Sequence, residues 1–241
     1  MTVPAYLQRL AQMVGEETLE ALSALRVAVF GVGGVGSWTA EALVRSGVGH
    51  LTLVDDDVVQ ISNVNRQLQA TLLSLGEPKV EALADRLRTI NPELCLDVYQ
   101  TRFRATHPEA FDLSYFNSVV DAIDSLDDKV GLIIAAHSAG AKVFSSMGAG
   151  NKMDPTQIQS GSIWETRVCP LAKAVRQKLR AQNFSGNAQC VYSLEEPCPR
   201  RFSLEGPDEG RAHGSAVHIT AVFGFYLAGM VIQNARPPTS S

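Results

Sequence analysis

The chain has 241 residues, of which 45% are hydrophobic and 19% charged, and its formal net charge is −4. This length and apolar content suffice for a full hydrophobic core and exclude a globally disordered chain. The acidic balance excludes a protein that coats nucleic acid by charge alone, although it is compatible with a local basic face.

Four cysteines, Cys95, Cys169, Cys190 and Cys198, occur without any C-x-x-C pair. Their spacing does not support a four-cysteine zinc site, and their density is too low for a disulfide framework. The apolar stretch 219–232 is shorter than the roughly 20 residues of a spanning helix, so we expect a buried helix and no stable membrane insertion. Because no secretory signal pattern is visible, the sequence predicts a cytoplasmic protein.

The first part of the chain alternates apolar strands with amphipathic helices. After a helical segment at 5–24, strands are predicted at 26–30, 50–54, 94–99, 117–120 and 142–146, and helices at 37–46, 77–90 and 126–140. This alternation is typical of a parallel sheet with helices on both faces. We therefore predict an α/β fold with a Rossmann-like, doubly wound, mainly parallel sheet.

The sequence changes character near residue 150. A short strand at 157–162, a basic helix at 170–180 and the apolar helix at 219–232 are predicted to form an extended C-terminal part. Between the two helices, residues 183–215 are rich in Gly, Pro, Ser and charge and are predicted to be a long mobile loop. Basic residues number 12 against 19 acids in residues 1–159 but 8 against 6 in residues 160–215. A surface for a polyanion is therefore expected in the second part.

A glycine-rich turn follows the first strand and opens the next helix, with glycines at Gly31, Gly33, Gly34 and Gly36. Glycine lets the backbone turn sharply and approach a phosphate closely, and the helix N-terminus offers free N–H groups. Asp55 ends the next strand, where a carboxylate can accept hydrogen bonds from ribose hydroxyls. These features predict a nucleotide site and fit NAD and ATP equally well.

The segment after Asp55 separates these two ligands. A polar run at 62–67 contains Arg66, and Lys79 follows near the start of a helix. Attack at an α-phosphate builds negative charge on the phosphate oxygens and on the leaving pyrophosphate, and fixed cations stabilise that charge. We therefore expect catalytic roles for Arg66 and Lys79. A dehydrogenase has no need for these cations, which disfavours an NAD-dependent oxidoreductase.

Two acids, Asp121 and Asp124, follow the fourth strand in the sequence D-A-I-D. A carboxylate at the carboxyl end of a parallel strand faces the ligand crevice, where it can support Mg²⁺ through an oxygen ligand. Asp124 is the stronger candidate for a catalytic and metal-binding role. Asp121 has the alternative of capping the loop.

The chain resembles the ThiF/MoeB/HesA superfamily, the bacterial relatives of ubiquitin-activating enzymes, in the segments GVGGVGSWTAEALVRSGVGHLTLVDDD, SNVNRQ, GEPKVEAL and VVDAIDS. The second half is similar to the tRNA threonylcarbamoyladenosine dehydratase branch of this superfamily, in SSMGAGNKMDPTQI, CPLAKAVRQKLR and VYSLEEP. The resemblance therefore covers nearly the whole chain.

This resemblance implies a homodimeric, ATP- and Mg²⁺-dependent enzyme that converts a carboxylate into an acyl-adenylate. In the dehydratase branch the carboxylate belongs to N6-threonylcarbamoyladenosine in tRNA, and the activated group closes on the same nucleoside with loss of one water. By position, the resemblance implies contacts to the nucleotide from the glycine turn, Asp55, Asn63, Arg66, Gln67 and Lys79, support of Mg²⁺ by Asp124, and a contact from Arg9 to the ATP of the partner subunit.

The expected organisation is one adenylating domain over residues 1–241. It comprises an N-terminal helical segment at 1–25, an ATP-binding core at 26–150, and a substrate-side and dimerisation part at 151–241. Two further alternatives stay open: activation of the C-terminal glycine of a ubiquitin-like sulfur carrier, and a non-catalytic nucleotide-binding module. The absence of C-x-x-C pairs disfavours the first, and the cations and acids above disfavour the second. A sulfur-transfer partner, such as a cysteine desulfurase, also stays open.

From the sequence alone, several side chains can be interpreted as either functional or structural. Lys173, Arg176 and Arg180 recur at helical spacing, so they share a face that suits either the tRNA backbone or solvent. Cys95 is expected in the core. Cys169 lies at a helix start, where the helix dipole can lower a thiol pKa.

Overall fold

The computed structural model describes residues 3–199 and 214–236. Within these ranges one sheet contains seven strands, β1 (Arg26–Phe30), β2 (His50–Val54), β3 (Cys95–Tyr99), β4 (Ser118–Asp121), β5 (Lys142–Ser146), β6 (Ile158–Ser162) and β7 (Gln189–Ser193). The strand order is β3-β2-β1-β4-β5-β7-β6, and neighbouring strands are parallel except for the antiparallel pair β6 and β7. The predicted Rossmann-like, mainly parallel sheet is confirmed.

Helices cover both faces of the sheet. The described helices are α1 (Gln8–Val14), α2 (Glu16–Ala24), α3 (Gly36–Arg45), α4 (Lys79–Ile90), α5 (Leu126–Ser138), α6 (Pro170–Ala181) and α7 (Val217–Ala235). Apolar side chains of α3, α4 and α7 pack in the core on one face, and those of α5 and α6 pack on the other. Because the strand order reverses between β1 and β4, a crevice opens there at the carboxyl ends of the strands.

The N-terminal helical segment differs from the single helix predicted over 5–24. It consists of a short 3₁₀ turn, α1 and α2, with a break at Gly15. Gly15 has φ = 79°, which lies in the region that favours glycine and cannot continue an α-helix. The apolar spacing is correct across the break, because Leu7, Leu19 and Leu22 are all buried.

The predicted mobile loop at 183–215 is wrong in its first part, because β7 (Gln189–Ser193) lies inside it. This strand pairs with β5 on one side and β6 on the other, and four of its five residues are buried. The stability of β7 therefore comes from pairing with distant strands. The composition of its Gly- and Ser-rich flanks predicts a loop instead. Residues 200–213 of the predicted loop lie outside the described residues.

In the part of the chain that the structure describes, α7 (Val217–Ala235) is the one helix long and apolar enough to cross a membrane. It packs closely against α3. A Cβ added at Gly224 would lie 2.7 Å from the Val35 carbonyl oxygen, and the Thr39 hydroxyl donates to the Gly224 carbonyl oxygen at 3.2 Å. The prediction of a buried helix therefore agrees with the packing, although α7 extends beyond the predicted 219–232.

The four cysteines are free and occupy different environments. Cys169 and Cys190 are buried, whereas Cys95 and Cys198 are exposed. The expectation that Cys95 lies in the core is wrong, because β3 is the edge strand of the sheet and Cys95 is on its uncovered side. Burial raises the pKa of the Cys190 thiol far above its ordinary value, so Cys190 is a poor nucleophile.

Candidate functional site

A cleft of about 440 Å³ lies at the carboxyl ends of β1, β2 and β4. The structure brings predicted site residues from distant parts of the sequence into its lining, namely Gly31, Gly33, Gly34, Asp55, Asn63, Arg66, Gln67, Lys79 and Asp124. Two other predicted residues, Gly36 and Arg9, do not line it in the same chain. The cleft is therefore the candidate functional site.

The glycine turn between β1 and α3 contains three different kinds of glycine. Gly31 has φ = 85°, and an added Cβ would lie 2.7 Å from the Ala122 carbonyl oxygen. At Gly36 an added Cβ would lie 1.8 Å from the Gly31 carbonyl oxygen, so Gly36 closes the turn from beneath. At Gly33 the nearest atom would be the Gln67 amide nitrogen at 3.8 Å, which leaves the Gly33 backbone open to a ligand.

Asp55 is held in place by the turn that it faces. Its carboxylate accepts from the Val32 N–H at 2.8 Å and from the Asp57 N–H at 2.9 Å. Burial raises the pKa of Asp55 above its ordinary value, although these hydrogen bonds and the charge of Lys79 oppose the shift. Each carboxylate oxygen keeps a further acceptor site, so Asp55 can still receive a ribose hydroxyl.

Lys79 reaches the cleft from the first residue of α4. Its ammonium lies 2.7 Å from the Asp57 carboxylate, and 7% of the Lys79 side chain is exposed against 57% for Asp57. The Lys79 N–H also donates to the Asp57 carbonyl oxygen at 3.0 Å. Asp57 is therefore the partner that positions Lys79, a role that was not predicted from the sequence.

Arg66 is the second cation of the cleft and is half-buried. Its guanidinium donates to the Ser62 carbonyl oxygen at 2.7 Å and to the Asn65 side-chain oxygen at 3.0 Å. Burial lowers the pKa of Arg66 from its ordinary value, but a guanidinium keeps its charge at neutral pH. Among the described residues no carboxylate lies within ion-pair distance of Arg66, which leaves this charge available for a bound anion.

Two buried amides complete this side of the cleft. The Asn63 side-chain oxygen accepts from the Gln60 N–H at 3.0 Å, which fixes the turn that carries Arg66. The Gln67 side-chain oxygen is buried without a hydrogen-bond partner in the described structure. A buried acceptor without a partner is costly, so a donor from a ligand or a water would stabilise Gln67.

The two acids after β4 have different environments. Asp124 is exposed and lines the cleft. Asp121 is fully buried, where it accepts from Lys129 at 2.7 Å, from the Ser145 hydroxyl at 2.5 Å and from the Ile123 N–H at 3.1 Å. The cleft-facing interpretation of Asp121 is therefore wrong, because β4 turns its carboxylate into the core, where Lys129 neutralises it. The hydrogen bond from the Ile123 N–H agrees with the alternative that Asp121 caps the loop.

One cation and one apolar wall of the cleft were not predicted from the sequence. Arg102 follows β3 and lines the cleft, with its guanidinium 3.2 Å from the Asp56 carboxylate. The attraction of Asp56 raises the pKa of Arg102 above its ordinary value. Phe103 packs edge to face on Phe30, with ring centroids 5.7 Å apart, and both rings line the cleft. Both Arg102 and Phe103 could have been predicted from the sequence T-R-F-R, which follows the end of β3 at the same edge of the sheet as Asp55.

The arrangement suits a nucleotide with a charged phosphate tail. An apolar wall can receive a base, Asp55 can accept from ribose, and the Gly33 backbone with Arg66 and Lys79 can bind phosphates. Asp124 supplies the hard oxygen ligand that Mg²⁺ prefers, and Mg²⁺ commonly takes its other ligands from phosphates and water. The donor set therefore fits Mg²⁺ bound with a nucleoside triphosphate.

Comparison with known proteins identifies the family of the chain. The model of the ThiF family matches residues 6–235. The tRNA threonylcarbamoyladenosine dehydratase of Bacillus subtilis (strain 168) is 40% identical over 233 residues, which cover 92% of this chain and 91% of the relative. The crystal structure of the Escherichia coli tRNA N6-threonylcarbamoyladenosine dehydratase TcdA in complex with AMP is similar, with a TM-score of 0.87 and 32% identity over 98% of this chain and 96% of that one.

A crystal structure of the same E. coli protein in complex with ATP has a TM-score of 0.85 and 32% identity, with the same coverage of 98% and 96%. These matches extend over nearly the full length of both chains, and the family match includes every strand and helix described above. The chain therefore belongs to the ThiF family.

Proposed function

We propose that this protein is an ATP-dependent tRNA threonylcarbamoyladenosine dehydratase. It would convert N6-threonylcarbamoyladenosine in tRNA into its cyclic form through an acyl-adenylate. The observation that carries the proposal is the convergence of Asp55, Arg66, Lys79 and Asp124 on one cleft. Relatives of matching length that carry this name support the substrate.

The first step is adenylation of the threonyl carboxylate. A carboxylate oxygen attacks the α-phosphorus of ATP, the bond to the β-phosphate bridging oxygen breaks, and pyrophosphate leaves. Charge accumulates on the α-phosphate oxygens and on pyrophosphate, where Arg66 and Lys79 can stabilise it. The half-buried position of Arg66 strengthens that interaction, because fewer water molecules screen the guanidinium. Asp55 would orient the ribose.

The second step closes the ring. A nucleophilic atom of the threonylcarbamoyl-adenine group attacks the acyl carbon, and AMP leaves with the oxygen that the carboxylate contributed. One proton is released, and the nucleoside is lighter by one water. Because the nucleophile is tethered to the carboxylate, the effective concentration is high and no enzyme nucleophile is required. This agrees with a cleft that has no cysteine among its lining residues in the described chain.

Magnesium and the partner subunit belong to the same proposal. Asp124 would hold Mg²⁺, which when bound neutralises part of the triphosphate charge. We further propose a homodimer in which the exposed Arg9 on α1 contacts the ATP of the other subunit, because Arg9 does not line the cleft of its own chain. A cysteine desulfurase partner would need an accessible thiol, which Cys95 and Cys198 offer and the buried Cys169 and Cys190 do not.

The decisive experiment incubates the protein with Mg-ATP and tRNA that carries N6-threonylcarbamoyladenosine. Gentle digestion and mass spectrometry of the nucleosides should show a species lighter by one water that appears only with ATP. Replacing Arg66 or Lys79 by Ala should lower the rate about 10²–10³-fold, since each removes a charge from the transition state.

Arg88→Ala serves as the matched control, because Arg88 is an exposed cation on α4 whose Asp85 partner is also exposed. Its rate should stay close to that of the wild type. Failure of the folded wild-type protein to form the lighter nucleoside would overturn the proposal. Pyrophosphate exchange driven by a ubiquitin-like carrier would then identify the carrier-activating alternative.

A further inference from the structure

The cations of α6 differ from those of α3 and α4 in their partners. On the α3–α4 side, Arg45 and Arg86 both pair with Glu41, and Arg88 pairs with Asp85. Helix α6, with the sequence PLAKAVRQKLRA, has four cations and no acid. Among the described residues, Lys178 is the one cation of α6 with a carboxylate partner, Asp127. The other three cations of α6 have no carboxylate partner among the described residues.

Three of these cations share one face of α6, and Arg167 precedes the helix in the sequence. We call this the α6 ridge and define it by Arg167 in the turn before α6, and Lys173, Arg176 and Arg180 on the helix. Arg167, Lys173 and Arg180 are exposed, and Arg176 is half-buried and donates to the Thr166 hydroxyl. From Lys173 to Arg180 the helix axis rises about 10 Å, and the spacings of three and four residues keep these side chains on one face.

Helix electrostatics explains only part of this pattern. Cations in the last turn, such as Arg180, are stabilised by the negative end of the helix dipole. Lys173 lies in the first half of α6, and Arg167 precedes its N-terminus, where the dipole disfavours positive charge. A row of cations that continues to the unfavourable end of the helix fits an external anion better than it fits helix stability.

An aromatic side chain adjoins the ridge. The Arg180 guanidinium lies 5.5 Å from the centre of the Trp164 ring, and Trp164 packs against Phe184 with ring centroids 6.5 Å apart. The indole N–H of Trp164 donates to the Gly186 carbonyl oxygen at 2.9 Å, which fixes the orientation of the ring. Stacking holds the Arg180 guanidinium in place and reduces the entropy lost when it binds a phosphate.

Helix α6 lies beside the cleft. On the side of α6 opposite the ridge, Lys178 pairs with Asp127 in the first turn of α5. Asp127 follows the cleft residue Asp124 by three positions. A polymer whose reacting nucleoside enters the cleft near Asp124 therefore crosses α6 to contact the ridge.

We propose that the α6 ridge binds the phosphodiester backbone of the RNA substrate beside the nucleoside that reacts. The inference rests on the proposed function and adds the surface that holds the polymer. Its basis is charge complementarity, because phosphate contacts from lysine and arginine provide most of the sequence-independent affinity for nucleic acids. The ridge positions RNA and takes no part in adenylation.

The test uses the full-length double variant Lys173→Gln/Arg180→Gln, with Arg88→Gln/Lys142→Gln, two exposed cations outside α6, as the control of equal charge change. The ridge variant should show a KM for tRNA raised about tenfold at moderate salt, with kcat and the Kd for ATP unchanged. In a plot of log KM against log salt concentration, the slope for the ridge variant should be smaller than that of the wild type by about 0.7–0.9 for each phosphate contact that is lost. The control should match the wild type.

The outcomes separate the ridge from the proposed function. An active wild type with an equal KM for tRNA in both double variants overturns the ridge and leaves the dehydratase function intact. A change in sedimentation of the ridge variant would identify the ridge as a subunit interface and also overturn the inference. A wild type that binds tRNA in a ridge-dependent way but forms no lighter nucleoside retains the ridge and overturns the dehydratase function.

Discussion

Gly36 is the most constrained residue of the cleft, although it does not touch the cleft volume. A methyl group at this position would lie 1.8 Å from the Gly31 carbonyl oxygen, far inside van der Waals contact. The glycine turn would have to open to accept it, and Asp55 would lose its hydrogen bond to Val32 in that turn. The role of Gly36 is therefore to permit a close backbone approach, whereas Gly33 offers its backbone to the ligand.

We expect Gly36→Ala to destabilise the protein by about 1–3 kcal/mol or more, because overpacking at a backbone contact cannot relax through a side chain. Binding of ATP, measured by calorimetry on the folded fraction, should weaken at the same time. Gly229→Ala is the control, since an added Cβ there meets no atom within 4 Å. Equal stability and ATP affinity in the two variants would contradict the role assigned to Gly36.

The buried pair of Asp121 and Lys129 supports the loop that carries Asp124. Both side chains are fully buried, and the Lys129 ammonium also donates to the Ser146 carbonyl oxygen at 2.9 Å. The pair joins the end of β4 to the end of β5 through α5. Removal of one charge would leave the other without compensation in a medium of low dielectric constant.

Lys129→Met should therefore reduce the free energy of unfolding by about 3–5 kcal/mol, measured by urea denaturation. The double variant Asp121→Asn/Lys129→Met should recover a substantial part of this loss, because no unpaired charge remains in the core. A loss below about 1 kcal/mol for the single variant, the scale of an exposed ion pair, would show that the pair is unimportant.

At the scale of elements, α3 and α4 are joined by the buried Glu41. Its carboxylate accepts from Arg86 at 2.5 Å and from Arg45 at 2.8 Å, so one acid links two helices. Burial by itself raises the pKa of Glu41, but the hydrogen bonds and charges of Arg86 and Arg45 outweigh it and hold the pKa below the ordinary value. Folding therefore favours the ionised form of Glu41.

Because the folded pKa is the lower one, the stability from Glu41 is present above the unfolded value of about 4.3 and disappears as the pH falls through the folded value. We expect Glu41→Gln to cost about 1–2 kcal/mol at pH 7, measured by denaturant unfolding. The difference from the wild type should shrink at acidic pH. Asp85→Asn, which removes an exposed pair with Arg88, should change stability by less than about 0.5 kcal/mol. A pH-independent cost for Glu41→Gln would contradict the ionic link.

At the scale of the whole molecule, the cleft of one chain contains Arg66 and lacks Arg9. The proposed homodimer would supply Arg9 from the other subunit. Arg9→Ala and Arg66→Ala should each lose activity. Mixing them with subunit exchange should restore about a quarter of the wild-type rate, because half of the two-fold dimers would then carry one intact site. Continued inactivity after exchange, verified by mass spectrometry of mixed dimers, would place Arg9 outside the site.

The mainly parallel sheet and its ligand crevice were predictable because their signals are local. Four apolar residues followed by a glycine turn, as in β1, and an acid after the end of β2 can be recognised within a short window. Residues that follow the carboxyl ends of neighbouring parallel strands meet at one sheet edge. That Asp55 and Asp124 line the same cleft follows from the strand order, without any knowledge of side-chain packing.

The predictions from sequence were wrong where the structure depends on contacts between distant segments of the chain. β7 appeared to be part of a loop because five residues between Gly- and Ser-rich flanks carry little periodicity, and its burial depends on β5 and β6. Asp121 and Asp124 are only three positions apart, yet Asp121 faces Lys129 in the core and Asp124 lines the cleft. Cys95 is exposed because β3 is the edge strand, a position that strand order decides.

The sequence by itself determined the order of strands β1 to β6 and helices α3 to α7, the glycine turn, and the set of cations and acids available for phosphate chemistry. Each of these depends on residues close together in the chain, whose conformations follow from local sterics and apolar spacing. Only the tertiary structure decided which charges are paired: Lys79 with Asp57, Lys129 with Asp121, and Glu41 with Arg86. The energy of an ion pair depends on distance and burial in space, and both arise when distant segments pack together.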